Sequence, residues 1–258
     1  MHPILFSFCG ITVFSYGVIV ALGFVATILY LSHSLNKSKE RMFSQDELYS
    51  LVVRIIVFGI IGSRFLFVLI NLREFMSAPL DIFKIWQGGL VYYGGLLMAL
   101  VFITMYAKEK KIQIFELVDF FVPALALGHA IGRIGCFFSG CCYGRESNLP
   151  WSVVFEDRHS SAVIGVHLHP TQIYEALGNF VLFVFLHFYS KKEHKTGAVL
   201  ALYFMCYAVL RFIVEFFRGD NREIRYFGLS MSQAVSIFLF IIGVCIYART
   251  RKNRIQKV

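Results

Sequence analysis

The chain of 258 residues is 57% hydrophobic and only 16% charged, with a mean hydropathy of +0.66. Apolar runs long enough to cross a bilayer recur along it, which excludes a globular domain built around one large core and predicts an all-α polytopic membrane protein. The net charge of +9 would suit a nucleic-acid binder, but the basic residues sit in short clusters between apolar runs, so no nucleic-acid partner is expected.

Seven membrane segments are expected, at about 11–32, 50–71, 88–107, 114–135, 171–189, 197–217 and 229–248. The first run lacks a basic lead and a small-residue cleavage site, so no cleavable signal peptide is expected. The segments at 33–49, 108–113, 190–196 and from Arg249 onward hold fourteen Lys and Arg residues, among them Lys37, Lys39, Arg41, Arg254 and Lys257. The opposite side holds seven: Arg73, Lys84, Arg145, Arg158, Arg218, Arg222 and Arg225. The positive-inside rule therefore predicts an outside N-terminus and a cytoplasmic C-terminus. The whole chain reads as one integral membrane domain, 1–258, with residues 136–170 as a small outward-facing head between spans four and five.

Four arginines, Arg54, Arg64, Arg133 and Arg211, fall inside spans. Arg54 lies near the inner boundary, where it snorkels to headgroups. At about 1.5 Å rise per residue the other three reach the outer half of the bilayer. An intramembrane arginine points to function, though Arg64 is equally accounted for by a structural pair with a carboxylate or with carbonyls.

In chain order, the stretch from Trp86 to Gly95 brackets Tyr92 and Tyr93 with glycine pairs, which also suits a tightly packed helix start with interface aromatics. Glu116 and Asp119 open the fourth span, where acidic residues suit a helix N-terminus. Residues 127–145 then concentrate Gly128, Gly132, Gly135, Gly140 and Gly144 around His129, Arg133, Cys136, Cys141 and Cys142. His169 and Pro170 open the fifth span, with Glu175 just inside the membrane edge as a boundary carboxylate or a catalytic one. In the sixth span Tyr207, Arg211 and Glu215 share one helix face, and Arg218 continues it. That stripe either neutralises itself as an Arg–Glu pair or faces a polar cavity open to the outer leaflet.

Taken together these stretches resemble the prolipoprotein diacylglyceryl transferase family. The family signature G-R-x-G-N-F-x-N-x-E-x-x-G is filled here by Gly132-Arg133-Ile134-Gly135-Cys136-Phe137-Phe138-Ser139-Gly140-Cys141-Cys142-Tyr143-Gly144. The Ser15-Tyr16-Gly17 segment, the W-x-G-G segment at Trp86, the H-P-T-Q-x-Y-E segment from His169 and the run from Arg211 to Arg218 follow in matching order, so the likeness spans essentially the whole chain. The resemblance implies transfer of diacylglyceryl from phosphatidylglycerol to the lipobox cysteine thiol of a preprolipoprotein, at the outer leaflet of the bacterial inner membrane, without metal or organic cofactor. It implies that Arg133 and Arg211 hold the phosphate, that Glu215 orients Arg211, and that Tyr207 and Tyr16 line the pocket. Arg64, Gly132 and Gly144 join the phosphatidylglycerol site on the same grounds. The partners so implied are phosphatidylglycerol, the preprolipoprotein lipobox segment and membrane lipids.

Several signature positions differ. Tyr93 stands where the family keeps a histidine, and a tyrosine with an ordinary pKa of roughly 10 is a poor base at neutral pH. Cys136, Ser139 and Cys141 replace two asparagines and a glutamate. His129 and His169 are the nearby candidates for acid–base work. The cysteines admit a Cys136–Cys141 disulfide, packed free thiols, a catalytic thiol or a metal site, although the C-x4-C-C spacing is no recognised zinc pattern. The remaining functional alternatives are a same-fold paralogue with another acceptor and a non-enzymatic lipid transporter.

Overall fold

A computed structural model describes residues 2–8, 11–37, 42–85, 88–220, 225–226 and 228–252. Cys9, Lys39, Arg41, Trp86, Arg222, Arg254 and Lys257 lie outside the described residues.

The elements run in the order β1 (Ile4–Phe8), β2 (Ile11–Phe14), α1 (Ser15–Lys37), α2 (Gln45–Ile70), α3 (Leu72–Ser77), a 3-10 turn (Pro79–Phe83), α4 (Tyr92–Glu109), α5 (Ile114–Ser139), β3 (Val153–Val154), β4 (His167–Leu168), α6 (Thr171–Ser190), α7 (Ala198–Glu215), β5 (Arg225–Tyr226), β6 (Leu229–Ser230) and α8 (Met231–Lys252). Among the described residues the six short strands pair as antiparallel hairpins, and the framework is helical. Among the described residues six helices are long and apolar enough to cross a membrane: α1, α2, α5, α6, α7 and α8. The third of the seven expected spans corresponds to α4, whose 18 residues close on Lys108 and Glu109 and which is not among these six. It begins at Tyr92 because Gly88 and Gly89 take φ of +88° and +76°, left-handed values that a right-handed helix excludes.

The chain divides into two compact units. One comprises Met1–Leu31 and Val118–Val258. Its core joins Val122 and Ala126 of α5, Leu182 and Leu186 of α6, and Val199 and Tyr203 of α7. Asp119, assigned only to the start of its own helix from sequence, reaches across to α7. Its carboxylate accepts the backbone N–H of Gly197 at 2.6 Å and of Leu200 at 2.8 Å, satisfying donors that a helix N-terminus leaves free. Between α5 and α6 the chain forms the β3–β4 hairpin over a small cluster of Phe155, Ala162 and Leu168. Helix α5 runs on to Ser139, so Cys136 belongs to its last turn and not to the 136–170 head expected from sequence.

The second unit, Ser32–Leu117, is built on the packing of α2 against α4. Helix α2 starts in a capping box, with Ser44 Oγ accepting the Glu47 N–H and the Glu47 carboxylate accepting the Ser44 N–H. Gly62 and Gly94 face each other so closely that a Cβ on either would stand 2.3–2.4 Å from the other's carbonyl oxygen. Small residues at such a crossing let two membrane helices touch backbone to backbone.

Candidate active site

Three arginines of the first unit, Arg211 and Arg218 buried and Arg133 partly so, converge on two glutamates. Glu175, in the second turn of α6, is the hub. Its carboxylate pairs with Arg133 Nε from α5, with Arg211 Nη1 from α7 at 3.0 Å and, more loosely, with Arg218 Nη1 at 3.8 Å. Arg211 also pairs with Glu215 one turn on at 2.7 Å, and Arg218 Nε lies 3.8 Å from that same carboxylate. The Glu175 side chain is only 3% exposed and that of Arg218 4%, so these charges must satisfy one another. The Arg133–Glu175 and Arg211–Glu215 contacts are held by charge, since the Oε2 atoms involved receive no directed N–H among the described residues.

Neighbouring polar groups complete the network. Arg211 Nη2 donates to Ser232 Oγ in the first turn of α8 at 2.9 Å, and Ser230 Oγ, at the end of β6, donates to Glu215 Oε1 at 2.7 Å. Asn179, one turn below Glu175, donates to its backbone carbonyl. Asp220 takes a forked contact from Arg218 at 2.5 and 2.9 Å. A cavity of about 300 Å³ opens beside this network, lined by Arg145, Glu215, Arg218, Asp220, Ser230 and Gln233. Arg145 has no carboxylate partner among the described residues; its Nε donates to the Arg218 carbonyl. Among the described residues, four guanidinium groups thus gather with three carboxylates, Glu175, Glu215 and Asp220.

Backbone crossings set this geometry. The strand-like segment at Tyr143–Arg145 passes between His169 and Phe217–Gly219: Gly144 N–H donates to His169 O, Arg145 N–H to Phe217 O and Gly219 N–H to Tyr143 O. A Cβ on Gly144 would lie 2.5 Å from the His169 Cβ and 2.7 Å from the Phe217 carbonyl, so no other residue fits that crossing. Gly144, expected from sequence as a binding residue, is thereby a joint that fastens the ends of α5, α6 and α7.

The three cysteines come together at the end of α5. They are free thiols, not the Cys136–Cys141 disulfide expected among the alternatives, and the sulfurs of Cys136, Cys141 and Cys142 all lie within 4.8 Å of one another. Gly140 at φ +75° and Cys142 at φ +62° fold the chain back over Cys136. Two side chains from the first turn of α6, each 1% exposed, fix that turn: Gln172 Nε2 donates to the Cys141 carbonyl at 2.8 Å and Thr171 Oγ1 to the Cys142 carbonyl at 2.7 Å. Hydrogen bonds from Cys136 and Cys141, aided by the charges of Arg218 and Arg133, hold the Cys142 thiol well below its usual range. For Cys141 the contact with Cys136 acts the same way, but its bond to Cys142 and burial outweigh it and leave the thiol above that range.

The other expected residues separate. Tyr16 lies over Gly135, and Tyr207 stacks between Tyr203 and His129. His169 contacts Tyr174 Oη at 3.2 Å and packs on Phe217, which makes it a bracing group of the crossing. Beside Gly132 the space is open among the described residues. Tyr93 and Arg64 belong to the second unit. Tyr93 is 58% exposed on α4. Arg64 donates to four backbone carbonyls, Ile82, Asp81, Gly88 and Gly89, at 2.5–3.2 Å, between the rings of Phe67 and Phe75. With its donors so engaged, Arg64 pins the loop before α4, and of the structural pairings weighed from sequence the one with carbonyls is formed. Sequence reasoning missed the hub role of Glu175 and the parts of Arg145, Ser230, Ser232 and Asp220. Only the first carried a signal, the polar segment opening α6.

Membrane-length helices around a largely buried arginine–carboxylate network define a polytopic membrane protein with a charged interior site. The prolipoprotein diacylglyceryl transferase family model matches residues 3–249, and the chain belongs to that family. It is 37% identical to the phosphatidylglycerol–prolipoprotein diacylglyceryl transferase of Clostridium tetani, over 96% of this chain and 97% of the relative. It is 34% identical to the second such enzyme of Clostridium perfringens, over 96% and 94%, and 33% identical to that of Finegoldia magna, over 99% and 98%.

Proposed function

We infer that the protein transfers the diacylglyceryl group of phosphatidylglycerol to the lipobox cysteine thiol of a preprolipoprotein. The acceptor sulfur attacks the glycerol carbon that bears the phosphate, the carbon–oxygen bond breaks, and glycerol phosphate leaves as an anion. The observation that carries this reading is the convergence of Arg133, Arg211 and Arg218 on Glu175 beside a cavity that also exposes Arg145. Arginine forks match phosphate oxygens, and fixed cations in a poorly solvated site stabilise the departing charge far better than water does.

In this reading Arg133 and Arg211 hold the phosphate. Glu175 and Glu215 aim the guanidinium groups and keep them charged, and Tyr16 and Tyr207 line the lipid side. Both substrates are membrane-borne, so they enter laterally. The bias of basic residues toward one set of loops supports a site toward the outer leaflet, and membership of the family supports a bacterial inner membrane.

The test is transfer of labelled diacylglyceryl to a lipobox peptide by purified protein in phosphatidylglycerol-containing membranes, together with complementation of transferase-depleted cells. Transfer is expected, with Arg211→Ala lowering it by about a hundredfold or more, the scale of losing one charge-stabilising group. Absence of transfer by the wild-type protein would sink the reading. Transfer to a different acceptor only would select a paralogous activity.

A further inference from the structure

We propose that Cys136, Cys141 and Cys142 are the three protein ligands of a zinc-class divalent cation whose fourth position takes the acceptor thiol. This rests on the function inferred above, which requires a thiol to be made nucleophilic.

The geometry points to a metal site more than to a disulfide. A disulfide would use two sulfurs and strand the third, whereas all three converge within 4.8 Å. Tetrahedral zinc with Zn–S bonds of about 2.3 Å brings its sulfurs to about 3.8 Å apart, so the three need to close by no more than about 1 Å. The turn that gathers them is built for the purpose. Cys142 takes a left-handed φ of +62° that a side-chain-bearing residue rarely adopts, and the buried Thr171 and Gln172 hold it there through the Cys142 and Cys141 carbonyls. Backbone strain of this kind persists where surrounding structure enforces it, often at a functional site.

Charge and space agree. Three thiolates and one divalent cation carry a single negative charge, and a fourth thiolate makes it two. Arg133, one turn before Cys136 on α5, and Arg218, which faces the Cys142 sulfur, lie beside the cluster and favour its negative charge. Gly132 precedes Cys136 by four residues on the same helix face, and a Cβ there would meet no described atom within 4 Å. A site with three protein ligands and one open position is the arrangement of catalytic zinc, and a thiol that coordinates the ion loses its proton.

The step balances without further reagents. The acceptor thiol gives its proton to solvent on binding the cation. A sulfur lone pair then forms the bond to the glycerol carbon as the carbon–oxygen bond breaks, and that bonding pair leaves with the phosphate toward the arginines. The thioether product is a weaker ligand than a thiolate and dissociates. Acceptor activation by this route does not call on the histidine that Tyr93 replaces.

The experiment uses the full chain with Cys9, Cys206 and Cys245 changed to serine, purified reduced in phosphatidylglycerol-containing nanodiscs. Zinc content is read by mass spectrometry and cobalt(II) substitution by absorption. Stoichiometric zinc is expected, with thiolate-to-cobalt charge-transfer bands that shift when a lipobox peptide is added and stay put with its Cys→Ser analogue. Chelation should remove transfer and zinc should restore it. Each of Cys136→Ser, Cys141→Ser and Cys142→Ser should weaken zinc affinity by more than about tenfold, the scale on which even residues behind the ligands act. The chelation and cobalt measurements leave the cluster unmutated, so a variant that misfolds cannot decide the outcome. Transfer that survives complete removal of metal, or active protein with two of these cysteines joined in a disulfide, would overturn the proposal and leave the function intact. Metal bound as described, with no transfer to any lipobox peptide, would refute the function and the activation step together.

Discussion

Glu175 illustrates how one residue sets a whole site. Its carboxylate is the shared partner of Arg133, Arg211 and Arg218, which come from three different segments. Removing its charge leaves guanidinium groups buried without compensation, the costly way to break an ion network. Glu175→Gln is therefore expected to destabilise the protein by about 3 kcal/mol in thermal unfolding and to cut transfer by about a hundredfold through misplaced arginines. A variant with unchanged stability would show that the network is not what holds the arginines. The cysteines give a second test. In metal-free, reduced protein the Cys142 thiol is held below its usual range and the Cys141 thiol above it. Because the thiolate is the nucleophile, peptide mapping after brief alkylation at pH 7 should find Cys142 modified ahead of Cys141.

Among the helices, the crossing of α2 and α4 shows what glycine spacing contributes. Gly62 and Gly94 leave no space for even a methyl group, so Gly94→Val should destabilise the protein by about 1–3 kcal/mol and expose Ser32–Leu117 to proteolysis. Gly59→Ala, on α2 where the space is open, is the control that should retain wild-type stability. Equal behaviour of the two variants would show that the crossing does not limit stability. The start of α4 carries a related lesson. Paired glycines around Tyr92 and Tyr93 were legible as a special segment, but only the left-handed backbone at Gly88 and Gly89 reveals that the helix begins at Tyr92 and that Arg64 pins the loop before it. Likewise the glycine-rich stretch after Leu127 reads as one motif, while its end folds as a helix that carries Cys136 and a turn that carries Cys141 and Cys142.

At the level of the whole molecule, the distribution of lysine and arginine makes a directional prediction. A green fluorescent protein fused after Val258 should fluoresce, and alkaline phosphatase at the same position should be inactive, because the C-terminus is expected in the cytoplasm; the reverse pattern would invert the topology. The sequence by itself determined the membrane-spanning helical class and the family, and it singled out Arg133 and Arg211 as charges inside spans. Hydropathy runs, colinear motifs and charges in apolar surroundings are properties of the linear chain. The tertiary structure decided which groups those charges meet. Glu175 lies 42 residues from Arg133 and 36 from Arg211, Cys136 and Cys142 sit on opposite sides of a backbone reversal, and Arg64 meets carbonyls instead of a carboxylate. Such pairings depend on helix crossings and left-handed turns, and no local spacing encodes them.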